Sequence, residues 1–262
     1  MSAKGFAVIT GASKGIGKCI AIELATKGYS LLLIARSENE LAALANSLES
    51  NYKVLVRYLA IDLSEPDAAQ KVFNYCMEQG YSNIRILVNN AGYGLWGNFE
   101  ELPLQKQEEM MHVNVNTLVK LSHYFLPVLK KNKPGYILNV SSTAAYQAVP
   151  TLAIYAASKA FVLSFSRALK YELRNSSVSV TCLCPGPVNT NFVDRAGMQA
   201  IKAKAEKFGM IPEKVASIAI KGMFKGKAEI VPGFLNVATA FLVQFFPKKI
   251  TEKIAADIYV TK

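Results

Sequence analysis

Short, nearly unbroken apolar runs alternate along this chain with stretches whose apolar residues recur every three or four positions. Gly5–Thr10 reads as a buried strand, and Gly15–Lys27 as a helix with Ile16, Ile20 and Leu24 on one face. Tyr29–Ala35 is a continuous apolar run of the kind buried on both sides of a parallel sheet. Ser37–Asn51 reads as a helix with Ser37 as N-cap and Glu40 closing a capping box. Val54–Ile61 is a third strand, Pro66–Gly80 a helix, and Ile84–Asn89 a fourth strand. A helical region over about Leu104–Lys130 leads to a strand at Gly135–Val140, a long helix at Thr151–Arg174 and a strand at Val178–Leu183. The pattern loosens from Pro185 to about Met210, then resumes as a helix (Pro212–Lys225) and a short strand (Glu229–Val231). Strands alternating with helices predict an α/β fold, a doubly wound parallel sheet of about seven strands with helices on both faces. No linker, repeat or low-complexity tract interrupts it, so residues 1–262 read as a single domain.

Composition narrows the function classes. With 51% hydrophobic and only 19% charged residues the chain is no disordered tail. Cys19, Cys76, Cys182 and Cys184 are too few for a disulfide scaffold and none has zinc-finger spacing; with His112 and His123 the only histidines, no metal site is expected. Met1–Thr10 runs into a glycine turn without a secretory pattern. As a helix, the apolar stretch Phe234–Phe246 would span about 20 Å, short of the ~30 Å hydrocarbon core, so no transmembrane segment and a cytoplasmic location are expected. The net charge of +11 raises a nucleic-acid partner, but residues 199–262, with 11 Lys, no Arg and 5 acids, supply +6 of it without a groove-reading motif. No nucleic-acid partner is expected; the excess could steer an acidic carrier-bound or lipid-bound substrate, or aid solubility.

The first chemical signal is the turn Thr10-Gly-Ala-Ser-Lys-Gly-Ile-Gly17 between the first strand and helix. Gly11, Gly15 and Gly17 let the backbone approach a pyrophosphate at the helix N-terminus, with Ser13, Lys14 and Ile16 beside it. The spacing is G-x-x-x-G-x-G rather than G-x-G-x-x-G. At the end of the second strand, where a carboxylate would hold the ribose of NAD, stands Ala35-Arg36, with no acid before Glu38. A guanidinium there, with Lys14 nearby, suits a 2′-phosphate, so NADP(H) is favoured over NAD(H).

Tyr155-Ala-Ala-Ser-Lys159 places a phenol and an ammonium on one helix face. Chance alone would supply such a pair; its weight comes from its company. Ser141-Ser142 follows the fifth strand, Asn89-Asn90-Ala91-Gly92 ends the fourth, and Asn114 lies in a helix between them. Together these motifs resemble the short-chain dehydrogenase/reductase family in its compact, single-domain, Rossmann-type branch. The matching positions are Thr10–Gly17, Asp62, Asn89–Gly92, Asn114, Ser142, Tyr155, Lys159, Pro185-Gly186 and Thr190, in order over about residues 5–190. The resemblance implies hydride transfer between the cofactor and a carbonyl or secondary alcohol, with Tyr155 as general acid or base. It implies that Lys159 lowers the phenol's pKa and holds the nicotinamide ribose, that Ser142 bonds the substrate oxygen, and that Asn114 anchors a relay water. Asp62 would meet the adenine and Thr190 the carboxamide, with Asn90, Ala91, Gly92, Pro185, Gly186 and Val188 completing the cofactor contacts. Ser141 competes with Ser142, but the family's spacing to the tyrosine favours Ser142. The chemistry suits these residue types: the developing alkoxide needs a proton donor, and a phenol, with an ordinary pKa near 10, needs a nearby cation to serve near neutrality.

In such a family the loosened stretch 191–210 corresponds to the substrate lid. Tyr93, Trp96, Tyr146, Gln147, Phe192 and Met198 are candidate lining residues, and their apolarity predicts a lipophilic substrate such as a fatty 3-oxoacyl chain or a steroid-like ring. A C-terminal extension, 233–262, carries a one-sided apolar stripe from Phe234 to Phe246, opposite an uncharged face of Asn236, Thr239, Ala240, Val243 and Gln244. Packing onto its own domain or a sister subunit, covering the substrate pocket, and touching lipid all remain open for it. Family resemblance implies a homodimer or homotetramer through the helices around Asn114–Lys130 and Thr151–Arg174. Two other functions share the motifs: a cofactor-binding sensor, which needs no proton donor, and a sugar-nucleotide epimerase, which needs a longer substrate domain.

Overall fold

The computed structural model describes residues 4–199 and 202–259. Seven strands, β1 (Phe6–Thr10), β2 (Ser30–Ala35), β3 (Val56–Ala60), β4 (Ile84–Asn89), β5 (Gly135–Val140), β6 (Val178–Leu183) and β7 (Glu229–Ile230), form one sheet in the order β3-β2-β1-β4-β5-β6-β7. Every pairing is parallel. Because successive side chains point to opposite faces, β1 feeds two cores: Ala7 and Ile9 pack on one face and Val8 on the other. Helices α1 (Gly15–Thr26) and α2 (Glu38–Tyr52) bury their apolar faces in the first core, and α3 (Ala68–Glu78) in the second. The whole of β2 is buried between these layers, which is why its sequence is apolar without alternation.

The expected helical region after β4 is α4 (Leu104–Met111), one π-helical turn (His112–Thr117) and α5 (Leu118–Lys131). A 3₁₀ turn (Thr143–Tyr146) precedes α6 (Ala153–Glu172). The stretch expected to be irregular holds two short helices, α7 (Phe192–Arg195) and α8 (Lys202–Phe208), before α9 (Pro212–Phe224). Past β7, the extension is two helices, α10 (Phe234–Leu242) and α11 (Lys248–Tyr259). Residues 200–201 of the expected lid and 260–262 of the expected extension lie outside the described residues.

One local expectation needs correction, and one of the alternatives left open for the tail falls away. Ser37 sits at the N-cap of α2 but makes no side-chain cap bond, and the Glu40 carboxylate meets the Lys14 ammonium at 2.7 Å, so the capping box does not form. The apolar stripe of the tail does not pack onto its own domain. Asn236 and Ala240 face inward, Asn236 against Gly186, while Phe234, Phe241 and Phe245 stand in solvent.

Candidate active site

Strand order reverses at β1, whose neighbours are β2 and β4, and such a switch point opens a crevice beyond the carboxyl ends of the strands. A cleft of about 1080 Å³ lies there. Gly11, Ser13, Lys14, Gly15 and Ile16 line one end of it. Gly15 takes a left-handed φ of 54°, and the N-terminus of α1 has no side-chain cap, so its first amides are left to a ligand. Gly17 lies behind the turn, where a methyl group would land on the Gly11 carbonyl oxygen. Asn90 clips the turn to β4, its Nδ2 donating to the carbonyls of Thr10 (2.9 Å) and Gly11 (3.0 Å). The Thr10 hydroxyl returns the link, accepting from the backbone amides of Asn90 and Ala91 at 3.0 Å each.

Beyond β2 and β3, Arg36 and Asp62 face each other at 3.6 Å on the cleft wall. Partial burial opposes ionisation of Asp62. Bonds from the Ser64 amide (2.9 Å) and hydroxyl (2.8 Å), with the nearby Arg36 guanidinium, nonetheless hold its carboxyl below the usual range. Arg195, on α7, covers the same end with its guanidinium 4.6 Å from the centre of the Tyr93 ring. Burial, and then repulsion from Arg36, pulls its pKa down. Sequence reasoning placed Arg195 in the lid segment without a role.

At the other end β5 delivers two serines, and the structure separates them. Ser141 is buried, borders the cleft and donates to the Lys159 carbonyl at 2.7 Å, whereas the Ser142 hydroxyl accepts from the Ala144 amide at 3.1 Å and, lying near Tyr155, draws the phenol's pKa down without lining the cleft. Tyr155 and Lys159 share a face of α6; the Lys159 ammonium donates to the Val140 carbonyl at 3.0 Å and lies 5.7 Å from the Tyr155 ring centre. Burial pushes the phenol up to about 12 and the lysine down to about 8, since each charged form loses solvation. Asn114, in the π-helical turn, does not line the cleft. It braces Tyr93, accepting from its amide (3.1 Å) and donating to its carbonyl (3.0 Å), and also donates to Ser158 (3.1 Å). Gly92 is the close-approach point, since a Cβ there would sit 2.9 Å from Asn114 Oδ1 and 3.2 Å from Lys159 Nζ. Pro185, Gly186, Val188 and Thr190 follow β6 along the cleft.

Of the expected substrate-lining residues, Tyr93, Phe192 and Met198 do line the cleft, with the Phe192 ring 5.4 Å from that of Tyr155. Trp96, Tyr146 and Gln147 do not. The Trp96 indole N–H donates at 3.0 Å to the carbonyl of Tyr259, itself a wall residue, so the indole supports the wall from behind; the Tyr146 hydroxyl donates to Glu229 at 2.6 Å, away from the cleft. Ile258 and Tyr259 of α11 and Thr239 of α10 take their place in the wall. No local signal marked these tail residues, because only the return of the chain across the mouth brings them there.

The sequence matches the short chain dehydrogenase family over residues 5–201. It is 38% identical over 193 residues to very-long-chain 3-oxoacyl-CoA reductase-A of Danio rerio, covering 71% of this chain and 59% of that protein. It therefore spans little more than half the length of that relative. It is 33% identical over 242 residues to 17-beta-hydroxysteroid dehydrogenase type 3 of Homo sapiens, covering 90% and 76% respectively. Among solved structures, a short-chain dehydrogenase from Sphingobium yanoikuyae in complex with NADPH superposes with a TM-score of 0.80 at 28% identity, covering 93% of this chain and 96% of that one. With the parallel sheet, the glycine turn at its switch point and the tyrosine and lysine at one end of the same cleft, the chain belongs to the short-chain dehydrogenase/reductase family of NAD(P)-dependent oxidoreductases acting on carbonyl and alcohol groups.

Proposed function

We propose that this chain is an NADPH-dependent reductase of lipophilic carbonyl compounds, with Tyr155 as the proton donor. The observation that carries the reading is the meeting of Tyr155 and Lys159, with Ser142 close behind the phenol, at one end of a cleft whose other end presents Arg36. The residues fit the dinucleotide: uncapped amides at the start of α1 suit its pyrophosphate, and Arg36 its 2′-phosphate. When bound, the reduced nicotinamide supplies the hydride. The protein's part is positional and electrostatic. Ser142 holds the carbonyl oxygen beside the phenol, and Tyr155 gives that oxygen its proton. Lys159 offsets the negative charge left on the phenol oxygen. Asn114 keeps the Tyr93 backbone in place through paired hydrogen bonds. Residues 191–210 serve as the lid and the tail helices as an outer wall.

The apolar lining by Tyr93, Phe192, Met198, Ile258 and Tyr259 supports a substrate of the 3-oxoacyl or steroid-like kind, in keeping with the relatives' names. The test compares kcat/KM for NADPH and NADH in the native protein and in Arg36→Ala. Native protein should prefer NADPH, and the variant should lose about tenfold or more with NADPH alone, the usual worth of a charge-assisted hydrogen bond. Equal preference in both proteins would exclude the NADPH assignment.

A further inference from the structure

The tail helices are built the wrong way round for a helix that stays in water. The inward side of α10 is small and polar: Asn236 donates to the Pro232 carbonyl at 2.7 Å and Ala240 is buried. Outward stand Phe234, Leu235, Phe241 and Leu242, with Phe234 89% exposed. Phe245 and Phe246 continue that face past the helix end, and α11 adds a second stripe of Ile250, Ile254 and Ile258 at i, i+4 and i+8. Side chains of this size carry roughly 150–250 Å² each, so the exposed apolar surface is on the order of 1000 Å², well above the few hundred a soluble monomer usually shows.

We infer that this face docks on the surface of an anionic lipid bilayer. Charge selects that occupant over a second copy of the chain. Lys248, Lys249 and Lys253 stand exposed beside the isoleucine stripe and have no ion-pair partner among the described residues. Within the tail helices these three lysines outnumber the acids, Glu252 and Asp257, so two copies placed face to face would set one lysine cluster against another, whereas acidic headgroups would neutralise them. The α10 part of the face, Phe234, Leu235, Val237, Phe241 and Leu242, also lacks the polar groups a subunit contact would pair, about one hydrogen bond per 100–200 Å². Contact is in-plane: α10 covers only about 14 Å, and among the described residues no helix is long and apolar enough to cross a membrane. Thr239, Ile258 and Tyr259 belong to these helices and also line the cleft, so the docking face borders its mouth.

The experiment is flotation of the full chain with phosphatidylcholine vesicles and with an equimolar phosphatidylcholine–phosphatidylserine mixture, paired with light scattering of the free protein. The chain should float with the mixed vesicles and release in high salt. Phe241→Ser with Phe245→Ser should weaken binding at least about tenfold on the mixed vesicles, with unchanged thermal melting because both rings are exposed. Lys248→Gln, Lys249→Gln and Lys253→Gln together should abolish the preference for the mixture. A native chain that stays at the bottom with both vesicles overturns the inference. So does a doubling of mass with protein concentration that the Phe variant abolishes, which would make the face a contact between copies. Flotation reads no turnover, so its failure leaves the reductase assignment untouched.

Discussion

Replacing Lys159 by Met should stabilise the protein at neutral pH and progressively lose that advantage as pH rises. The ammonium is 4% exposed, and burial lowers its pKa from 10.5 to about 8. That gap corresponds to about 3 kcal/mol of penalty on the charged form. Between the two values the unfolded chain binds more protons than the folded one, so the penalty is full below pH 8 and is relieved as pH climbs toward 10.5. At pH 9.5 about 1.4 kcal/mol should remain, a relief of about 2 kcal/mol relative to pH 7. The methionine has no charge to desolvate, but it forfeits the 3.0 Å bond to the Val140 carbonyl, which costs about 1 kcal/mol at every pH. Urea unfolding of both proteins at pH 7 and pH 9.5 should therefore show the variant ahead by about 2 kcal/mol at pH 7, with that lead vanishing at pH 9.5. All other titrating groups are common to both proteins and cancel in the difference. A lead that stays constant across the two pH values, at equal m-values, refutes the reasoning.

Other perturbations test other parts of the site. Tyr155→Phe removes one oxygen and should lower kcat by about 10²–10⁴ without altering circular dichroism; near-native turnover would remove Tyr155 from its role. Gly17→Ala should drive a methyl into the Gly11 carbonyl, displace the turn and cut NADPH affinity more than about tenfold in a fluorescence titration, whereas tight binding would mean the turn can yield. Asn114→Ala leaves the half-buried Tyr93 amide and carbonyl without their partner, and the urea midpoint should fall by the equivalent of about 1–3 kcal/mol. Trp96→Phe leaves the Tyr259 carbonyl only the long 3.4 Å bond from Thr151 and loosens that part of the cleft wall. KM for bulky carbonyls should rise a few-fold with KM for NADPH unchanged, and equal shifts in both would place Trp96 elsewhere in the mechanism.

Much of this molecule is legible in its amino-acid order. Apolar runs as short as Tyr29–Ala35, bounded by turn residues, read as strands buried on two faces, and their alternation with amphipathic stretches leaves few topologies other than a parallel sheet. The glycine turn is equally legible, because a close backbone approach excludes a side chain whatever surrounds it. The choice between Ser141 and Ser142 leaned on resemblance alone. In the structure the two diverge because consecutive residues leave a strand end in opposite directions, one to the Lys159 carbonyl and one to the phenol.

Contacts distant in sequence were not legible. Trp96 and Tyr146 looked like pocket residues because an aromatic near a strand end is apolar, but their polar tips had acceptors at Tyr259 and Glu229 that only the folded chain supplies. The stripe on α10 shows the limit most clearly. Its periodicity defined an amphipathic helix, yet periodicity says which residues share a face and not which way that face turns. Sequence by itself determined the layers, the strands and the glycine turn, since these follow from local backbone geometry and the period of burial. Only the tertiary structure decided that Asn236 and Ala240 meet the domain while the phenylalanines face outward, because that depends on where the chain leaves β7 and on the close approach Gly186 permits to Asn236.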